Sequence, residues 1–178
     1  MKPLLLSCLA ALLALTAVAS AQNKILLTLP GIEGPVTTTG HINDIVVETL
    51  AFDVSQVTKD SAKAGTADLT PGLGDLSPIK FVKALDKASP KLFLQSVAGT
   101  PLPTATITFL DTDDNLFFSL VLSGVYVSSY EITAEPDGQR ETVGLAYQKV
   151  KITFVPPPGS PNRTPIVVGW DRTKAKPF

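Results

Sequence analysis

Residues 75–99 constrain the fold most, because they are the only part of residues 22–178 in which apolar side chains recur at helical spacing. Ile79, Val82 and Leu85 lie three residues apart, so they would share one face of a helix. The polar side chains would then lie on the opposite, solvent-exposed face: Lys80, Lys83, Asp86 and Lys87.

Two Ser-Pro pairs suggest that this stretch forms two short helices in tandem. Ser77 and Ser89 each precede a proline, and serine at the N-cap with proline after it is a typical helix start. Gly99 is a typical helix end. A short helical insert in a chain that is otherwise strand and loop has to bury its apolar stripe against a sheet or barrel.

The first 21 residues have the pattern of a secretory signal peptide. Lys2 precedes an apolar stretch over residues 4–18, and residues 19–21 are Ala-Ser-Ala, a small-residue cleavage site. We therefore expect residues 1–21 to be a signal peptide and residues 22–178 to form one domain, exported to the periplasm or the extracellular space. An uncleaved N-terminal anchor is the alternative; no later stretch is predicted to insert stably into a membrane.

Net charge and cysteine content argue against nucleic-acid binding and against a disulfide-stabilised domain. Removing Lys2 with the leader leaves 14 basic and 16 acidic residues, a net charge near −2 that gives no electrostatic case for nucleic acid. The only cysteine, Cys8, is also in the leader. The exported domain can therefore form no disulfide, and its stability must come from core packing.

Turn-bounded apolar segments predict a mainly β protein. We expect a small closed or nearly closed β-barrel of about seven or eight strands, with the helical insert packed alongside. The predicted strands are residues 24–29, 42–57, 104–110, 116–122, 125–132, 141–155 and 166–170.

The longest predicted strand, residues 42–57, alternates between an apolar and a polar face. Thr49, Asp53 and Ser55 lie on the polar face, which is either exposed to solvent or lines a polar space. Residues 58–74 follow and are small, polar and rich in proline and glycine, which predicts a long loop with a function of its own.

The chain carries few residues suited to catalysis. His41 is its only histidine, and we expect it to be solvated or bonded within its loop. The Asp-x-Asp-x-Asn sequence of residues 111–115 resembles the start of a calcium loop but lacks the later glycine and glutamate, so a hairpin tip is favoured. Glu131, Glu135 and Glu141 are interpreted as solvated strand ends; carboxylate chemistry at a barrel mouth is the least favoured hypothesis. No metal or cofactor is expected.

An ordered set of short motifs resembles the haemolysin co-regulated protein (Hcp) family of type VI secretion systems. The resemblance covers essentially all of residues 24–178, and no single motif is diagnostic. The matching residues are His41, Leu50-Ala51-Phe52, Asp75-Leu76-Ser77, Phe81, Asp86-Lys87-Ala88-Ser89-Pro90, Leu92, Gly99, Val127-Ser128-Ser129 and Gly169-Trp170-Asp171.

The resemblance implies a non-enzymatic β-barrel subunit that assembles into homohexameric rings. Such rings stack into a tube that can carry effector proteins. Thr49, Asp53 and Ser55 then become candidates for the lumen of the ring. The loop matches in position an extended loop that contacts neighbouring subunits in the family, so its candidate assembly residues are Lys59, Asp60, Lys63 and Asp68.

Two features depart from the family pattern. Pro71, Gly72 and Gly74 interrupt a segment that tends to be strand-like in the family. The usual tube proteins also carry no cleavable leader, whereas this chain begins with one. The alternative hypothesis is therefore an exported monomeric β-barrel that binds a glycan or an envelope protein through its loops.

Overall fold

The structure is a computed structural model that describes residues 23–59, 70–136 and 138–178. The predicted leader and three of the assembly-loop candidates, Asp60, Lys63 and Asp68, lie outside these residues. Within them, no helix is both long enough and apolar enough to span a membrane.

Twelve strands and one helix make up the described chain. In order they are β1 Lys24–Thr28, β2 Ile45–Val47, β3 Thr49–Ala51, β4 Val54–Lys59, β5 Thr70–Leu76, β6 Ile79–Ala84, α1 Ser89–Ala98, β7 Leu102–Leu110, β8 Leu116–Glu135, β9 Gly138–Ala146, β10 Lys149–Phe154, β11 Ile166–Asp171 and β12 Lys176–Pro177.

Antiparallel pairing produces a nearly closed barrel. The main path is β12-β11-β10-β8-β7-β1-β2, and β8 also pairs with β9, which leads through β6 to β3. The first path ends at β2 and the second ends at β3. Because only Glu48 separates β2 from β3 in the chain, the two ends of the sheet lie next to each other. The mainly β fold with one short helix is confirmed.

The core fills the space inside this circuit. Its largest fully buried apolar side chains come from strands on both paths and from α1: Phe81, Leu27, Ile45, Ile79, Leu92, Ile107, Leu120, Leu122 and Leu145. Along β6 the buried residues alternate with more exposed ones, as a barrel wall requires.

The prediction of two tandem helices is wrong in its first half. Residues 79–84 form strand β6, which pairs with β3 on one side and β9 on the other. Ile79, Phe81 and Lys83 are buried, whereas Leu85 is exposed. Apolar residues here recur every three residues, as in a helix, and also every two residues, as in a strand. Pairing with β3 and β9 favours the strand.

The second predicted helix is confirmed as α1. Pro90 is in its first turn, and Gly99 ends it at φ 60° while donating its backbone N–H to the carbonyl of Gln95. The N-cap is Ala88 and not Ser89, so the predicted serine cap is wrong. The Ser89 hydroxyl instead accepts a hydrogen bond from the backbone N–H of Asp86.

The long strand predicted over residues 42–57 is divided into β2, β3 and β4. The loop predicted over residues 58–74 is also partly strand, because β5 begins at Thr70 and pairs with β4 as a separate two-stranded sheet. Pro71 is tolerated there since, in the described chain, β5 has a strand partner on one side only.

Two other strand boundaries differ from the prediction. Residues 116–135 are one strand that passes through Gly124, which adopts a φ of 61°. The stretch predicted as one strand over residues 141–155 is interrupted at residues 147–148, but β9 and β10 both pair with β8 in continuous register, Ala146 with Tyr126 and Lys149 with Ser123. The prediction is therefore wrong only in missing this short interruption.

Candidate functional site

A charged cluster lies inside the barrel, close to the start of α1. The Lys83 ammonium lies 2.6 Å from Oε1 of Glu141, and both side chains are completely buried. The same ammonium lies 2.9 Å from Asp86 Oδ1, and it donates to the Ala84 carbonyl at 2.8 Å. The cluster therefore connects β6 and β9 to the turn that precedes α1.

Tyr130 extends this cluster from β8 to the helix. Its hydroxyl donates to Oε2 of Glu141 at 2.6 Å. Burial raises the pKa of Tyr130 above its ordinary value, and the bond to the Glu141 carboxylate raises it further. The Tyr130 ring packs edge-on against Phe93 of α1, with the ring centroids 5.8 Å apart. The network therefore fixes how α1 is seated on the barrel.

Two residues of this network lie elsewhere than the sequence pattern predicts. The pattern predicts Lys83 on an exposed helix face and Glu141 at a solvated strand end, and both predictions are wrong. Cross-strand register places them opposite each other on the core side of β6 and β9. The signal that could have found them is a single opposite-charge pair at core-facing positions of two strands.

Among the described residues, Glu131 does not share a site with Glu141. Glu131 is exposed on β8, and its neighbour Ile132 is the residue in register with Glu141, so Glu131 and Glu141 lie on opposite faces. The side chain of Glu135 is not described. Across the described ranges, no group of His, Cys, Asp and Glu side chains is arranged to hold a metal ion.

Residues 111–115 form a hairpin tip between β7 and β8, as the sequence favoured. Asp111 Oδ1 accepts hydrogen bonds from the backbone N–H groups of Asp113 and Asn115. The bond from Asn115 is the largest cause that lowers the pKa of Asp111. The carboxylate therefore stabilises the turn itself.

His41 is bonded within its loop, in agreement with the sequence analysis. Its Nδ1 lies 2.8 Å from Asp44 Oδ2, and the Thr28 hydroxyl donates to the other Asp44 oxygen at 2.7 Å. The histidine borders an open groove of about 1000 Å³ beside β1 and β2. These bonds hold the loop over residues 34–44 against β1.

An uncovered apolar surface lies on residues 149–178, which we call the wing. The core face of the main sheet continues onto it as three rows across β8, β10 and β11, in register: Leu122–Val150–Trp170, Leu120–Ile152–Val168 and Phe118–Phe154–Ile166. Leu122 and Val150 are buried, whereas Val168 and Ile166 are exposed. The apolar face therefore extends beyond the part of the barrel that covers it.

Strand β11 also leaves part of its edge open. Within the described chain, β12 pairs only with Trp170 and Asp171, so residues 166–168 have β10 as their single strand partner. Val167 points to the other face and is also exposed. An edge strand with apolar side chains on both faces is typical of a surface that associates with another chain.

A second uncovered apolar surface is the outer side of α1, which we call the helix patch. It consists of Phe93, Leu94 and Val97, which are 54%, 62% and 70% exposed. Leu92 on the inner side is fully buried against the barrel. The helix is therefore apolar on two sides, but the protein covers only one of them.

Charge is distributed unevenly between the wing and the rest of the chain. The wing carries six Lys and Arg side chains and one Asp, a net charge of +5, whereas residues 22–148 carry −7. The single acid of the wing, Asp171, is buried and lies 3.2 Å from the Lys149 ammonium. The net charge near −2 of residues 22–178 conceals this separation.

The structure places the lumen candidates on two different sheets. Thr49 is on β3 of the barrel, whereas Ser55 is on β4 of the separate two-stranded sheet, and Asp53 lies between them. All three are exposed. Lys59 is the last residue of β4, and its side chain is not described. Their roles remain predictions.

Comparison with known proteins supplies the family of this fold. The family model described as "Type VI secretion system effector, Hcp" matches residues 26–154, which is more than half of the chain. No curated protein matches the sequence.

Several solved structures share the fold. A structure described as a type six secretion system protein is 26% identical over 88% of this chain and 100% of its own, with a TM-score of 0.78. Hcp1 from Salmonella typhimurium is 21% identical over 88% of this chain and 99% of its own, with a TM-score of 0.72. A type VI secretion system effector from Yersinia pestis is 18% identical over 83% and 98%, with a TM-score of 0.68.

Proposed function

Because this chain belongs to the Hcp family of type VI secretion systems, we propose that it acts by self-assembly, as a ring and tube subunit, and not by catalysis. The finer features of this role are a homohexameric ring, possible stacking of rings into a tube, and carriage of effector proteins in the lumen. Export by the N-terminal leader to the periplasm or beyond is part of the proposal.

The observation that supports self-assembly most directly is the wing. Its apolar face and open edge strand expose Ile166, Val167 and Val168 to solvent, and a monomer gains no stability from leaving them there. An interface that removes this surface from water favours association. The lumen candidates Thr49, Asp53 and Ser55 and the assembly candidates Lys59, Asp60, Lys63 and Asp68 belong to the same proposal.

Light scattering on the purified protein over a wide concentration range, together with electron microscopy, tests the ring. We expect a species six times the monomer mass and ring-shaped particles. Ile166→Asp should shift the population to monomers because it places a charge in the apolar contact. Ile42→Asp is the matched control, since Ile42 is 65% exposed and Ile166 is 63% exposed, but Ile42 lies outside the wing.

A strict monomer at the highest concentration would contradict the proposal. It would favour the alternative function, an exported monomeric barrel that binds a glycan or an envelope protein through its loops. The leader is tested separately by sequencing the N-terminus of the exported protein, which should begin at Gln22. An N-terminus at Met1 would contradict cleavage but would leave the ring untouched.

A further inference from the structure

We propose that the outer face of the wing docks the exported protein on the surface of an anionic phospholipid bilayer. The outer face is the side of β10, β11 and β12 that points away from the core. Its side chains are Lys149, Lys151, Val167, Lys176 and Phe178. The inference goes beyond the proposed self-assembly, because Ile166 and Val168 lie on the opposite, core face of the wing.

Cross-strand register gathers lysines on the outer face. Lys149 on β10 lies opposite Asp171 on β11, and Asp171 lies opposite Lys176 on β12. Side chains directly opposite each other on neighbouring strands point to the same side of a sheet, so both lysines flank Asp171. Lys151 lies two residues from Lys149 along β10 and therefore points the same way. Three lysines thus share one side of this part of the sheet.

The single acid of the wing offsets only one of these charges. Asp171 is buried, and one of its oxygens lies 3.2 Å from the Lys149 ammonium. Its other oxygen accepts hydrogen bonds from the backbone N–H groups of Thr173 and Lys174. Lys151, Lys174 and Lys176 are exposed. Together with Lys149, they give this end of the wing four lysines against one aspartate, a local net charge of +3.

The adjoining strands add no negative charge to the same side of the sheet. Register continues the rows of the outer face across β8 and β7 to neutral side chains: Ser123, Thr104, Val121, Thr106, Ser119 and Thr108. Asp75 of β5 lies 3.9 Å from Arg172, whose charge opposes its own. The positive charge of the outer face is therefore local and is not a sum over the whole domain.

Exposed apolar side chains stand among these lysines. The Phe178 ring lies over Gly169, where a Cβ atom would be 2.9 Å from Phe178 Cζ, and the Lys149 ammonium is 5.6 Å from the ring centroid. Phe178 and Val167 are 63% and 54% exposed. Apolar side chains flanked by lysines are typical of surfaces that lie on membranes, because burial against acyl chains and attraction to anionic headgroups act together.

A bilayer fits this face better than a small soluble anion. The lysines are spread over neighbouring strands, which are about 4.8 Å apart, so one phosphate group cannot reach all of them. A bilayer offers many anionic headgroups at once. Docking at headgroup depth also keeps water available to the open edge of β11, whose backbone groups would be unsatisfied in hydrocarbon. The wing therefore lies on the membrane and does not span it.

Sedimentation with lipid vesicles tests the docking. The exported protein should bind vesicles that contain phosphatidylglycerol and should not bind vesicles of phosphatidylcholine alone. The triple variant Lys151→Gln, Lys174→Gln and Lys176→Gln should bind about 100-fold more weakly, because each lysine near an anionic surface contributes about fivefold to the affinity.

A second triple variant is the matched control for charge. Lys80→Gln, Lys87→Gln and Lys91→Gln together remove the same charge from exposed lysines outside the wing. This protein should bind the vesicles as the unaltered protein does. Since all variants share one N-terminus, the leader cannot account for a difference between them.

Two single variants distinguish the faces of the wing. Val167 and Val168 are 54% and 58% exposed but point to opposite faces of β11. Val167→Ser should weaken vesicle binding severalfold, because it removes an apolar contact with the bilayer. Val168→Ser should leave vesicle binding unchanged.

Equal loss of binding in the two triple variants would overturn the proposal, because binding would then depend on total charge. Absence of binding by the unaltered protein would also overturn it, whereas self-assembly is judged separately by light scattering. Vesicle binding by a strict monomer would support docking and contradict the ring. Binding to polyglutamate but not to phosphatidylglycerol vesicles would overturn the bilayer and assign the outer face to an acidic protein.

Discussion

At the scale of single residues, burial of the Lys83–Glu141 pair carries a desolvation cost. Removing two charges from water is unfavourable, and the pair is retained only because each group has several partners. Lys83 has Glu141, Asp86 and the Ala84 carbonyl, and Glu141 has Lys83 and the Tyr130 hydroxyl. The pair therefore fixes the relative positions of its neighbours more than it adds stability.

Lys83→Met should destabilise the protein by about 3–5 kcal/mol, because it leaves the Glu141 carboxylate buried without its cation. Replacing both residues, as Lys83→Met with Glu141→Leu, should recover most of this loss. The free energy of unfolding in urea measures both effects.

Lys80→Met is the control for this pair of variants. Lys80 lies on the same strand but points to solvent, so its replacement should change the free energy of unfolding by less than about 0.5 kcal/mol. A Lys83→Met protein that is as stable as the Lys80→Met protein would show that the buried pair carries no net interaction.

At the scale of elements, the end of β11 is held to β10 by one carboxylate. Asp171 Oδ1 accepts from the Thr173 hydroxyl at 2.6 Å and from the Thr173 and Lys174 N–H groups, while its other oxygen faces the Lys149 ammonium. These contacts lower the pKa of Asp171 to about 2, the Thr173 bond being the largest cause, with burial acting in the opposite direction. The turn between β11 and β12 therefore depends on an ionised Asp171.

Asp171→Asn should destabilise the protein at neutral pH and remove a component of its acid sensitivity. Because the pKa is lower in the folded state than the ordinary value of 3.8, the stabilisation is complete above about pH 4 and is lost as the pH falls towards 2. The amide still accepts the Thr173 bond but loses the attraction to Lys149.

Unfolding curves of both proteins between pH 7 and pH 2 give the measurement. The difference in unfolding free energy should be constant at the upper end and shrink below pH 4. A difference that stays constant down to pH 2 would contradict the role of the ionised carboxylate.

At the scale of the whole molecule, basic charge is concentrated on the wing, which also carries one of the two uncovered apolar surfaces. The basic wing carries the uncovered sheet face, and the acidic remainder carries the helix patch. In the proposed self-assembly, this separation of charge favours contact between the basic wing of one copy and an acidic surface of another over contact between two wings. We therefore expect assembly to depend on ionic strength.

Raising the salt concentration from about 0.05 M to about 0.5 M should weaken assembly, because the screening length falls below the distances between exposed charges. The midpoint concentration of assembly, measured by light scattering at each salt concentration, should therefore increase. A midpoint that is unchanged, or that decreases, would show that apolar contacts alone control association.

The amino-acid sequence by itself determined the class of fold. The mainly β class, the helix with Pro90 in its first turn and Gly99 at its end, and the family were confirmed, because each depends on local conformational preference or on short patterns, whereas several strand boundaries were not. The prediction that His41 is bonded within its loop was also confirmed.

Only the tertiary structure decided which strands pair and which side chains they bring together. Residues 79–84 fit a helix and a strand equally well in isolation, and β3 and β9 selected the strand. The same pairing buried Lys83 opposite Glu141, 58 residues away along the chain. The sequence did not predict the wing, because its exposure depends on how far β10 and β11 extend the core face past the barrel. Burial is a property of the assembled layers and not of any single segment.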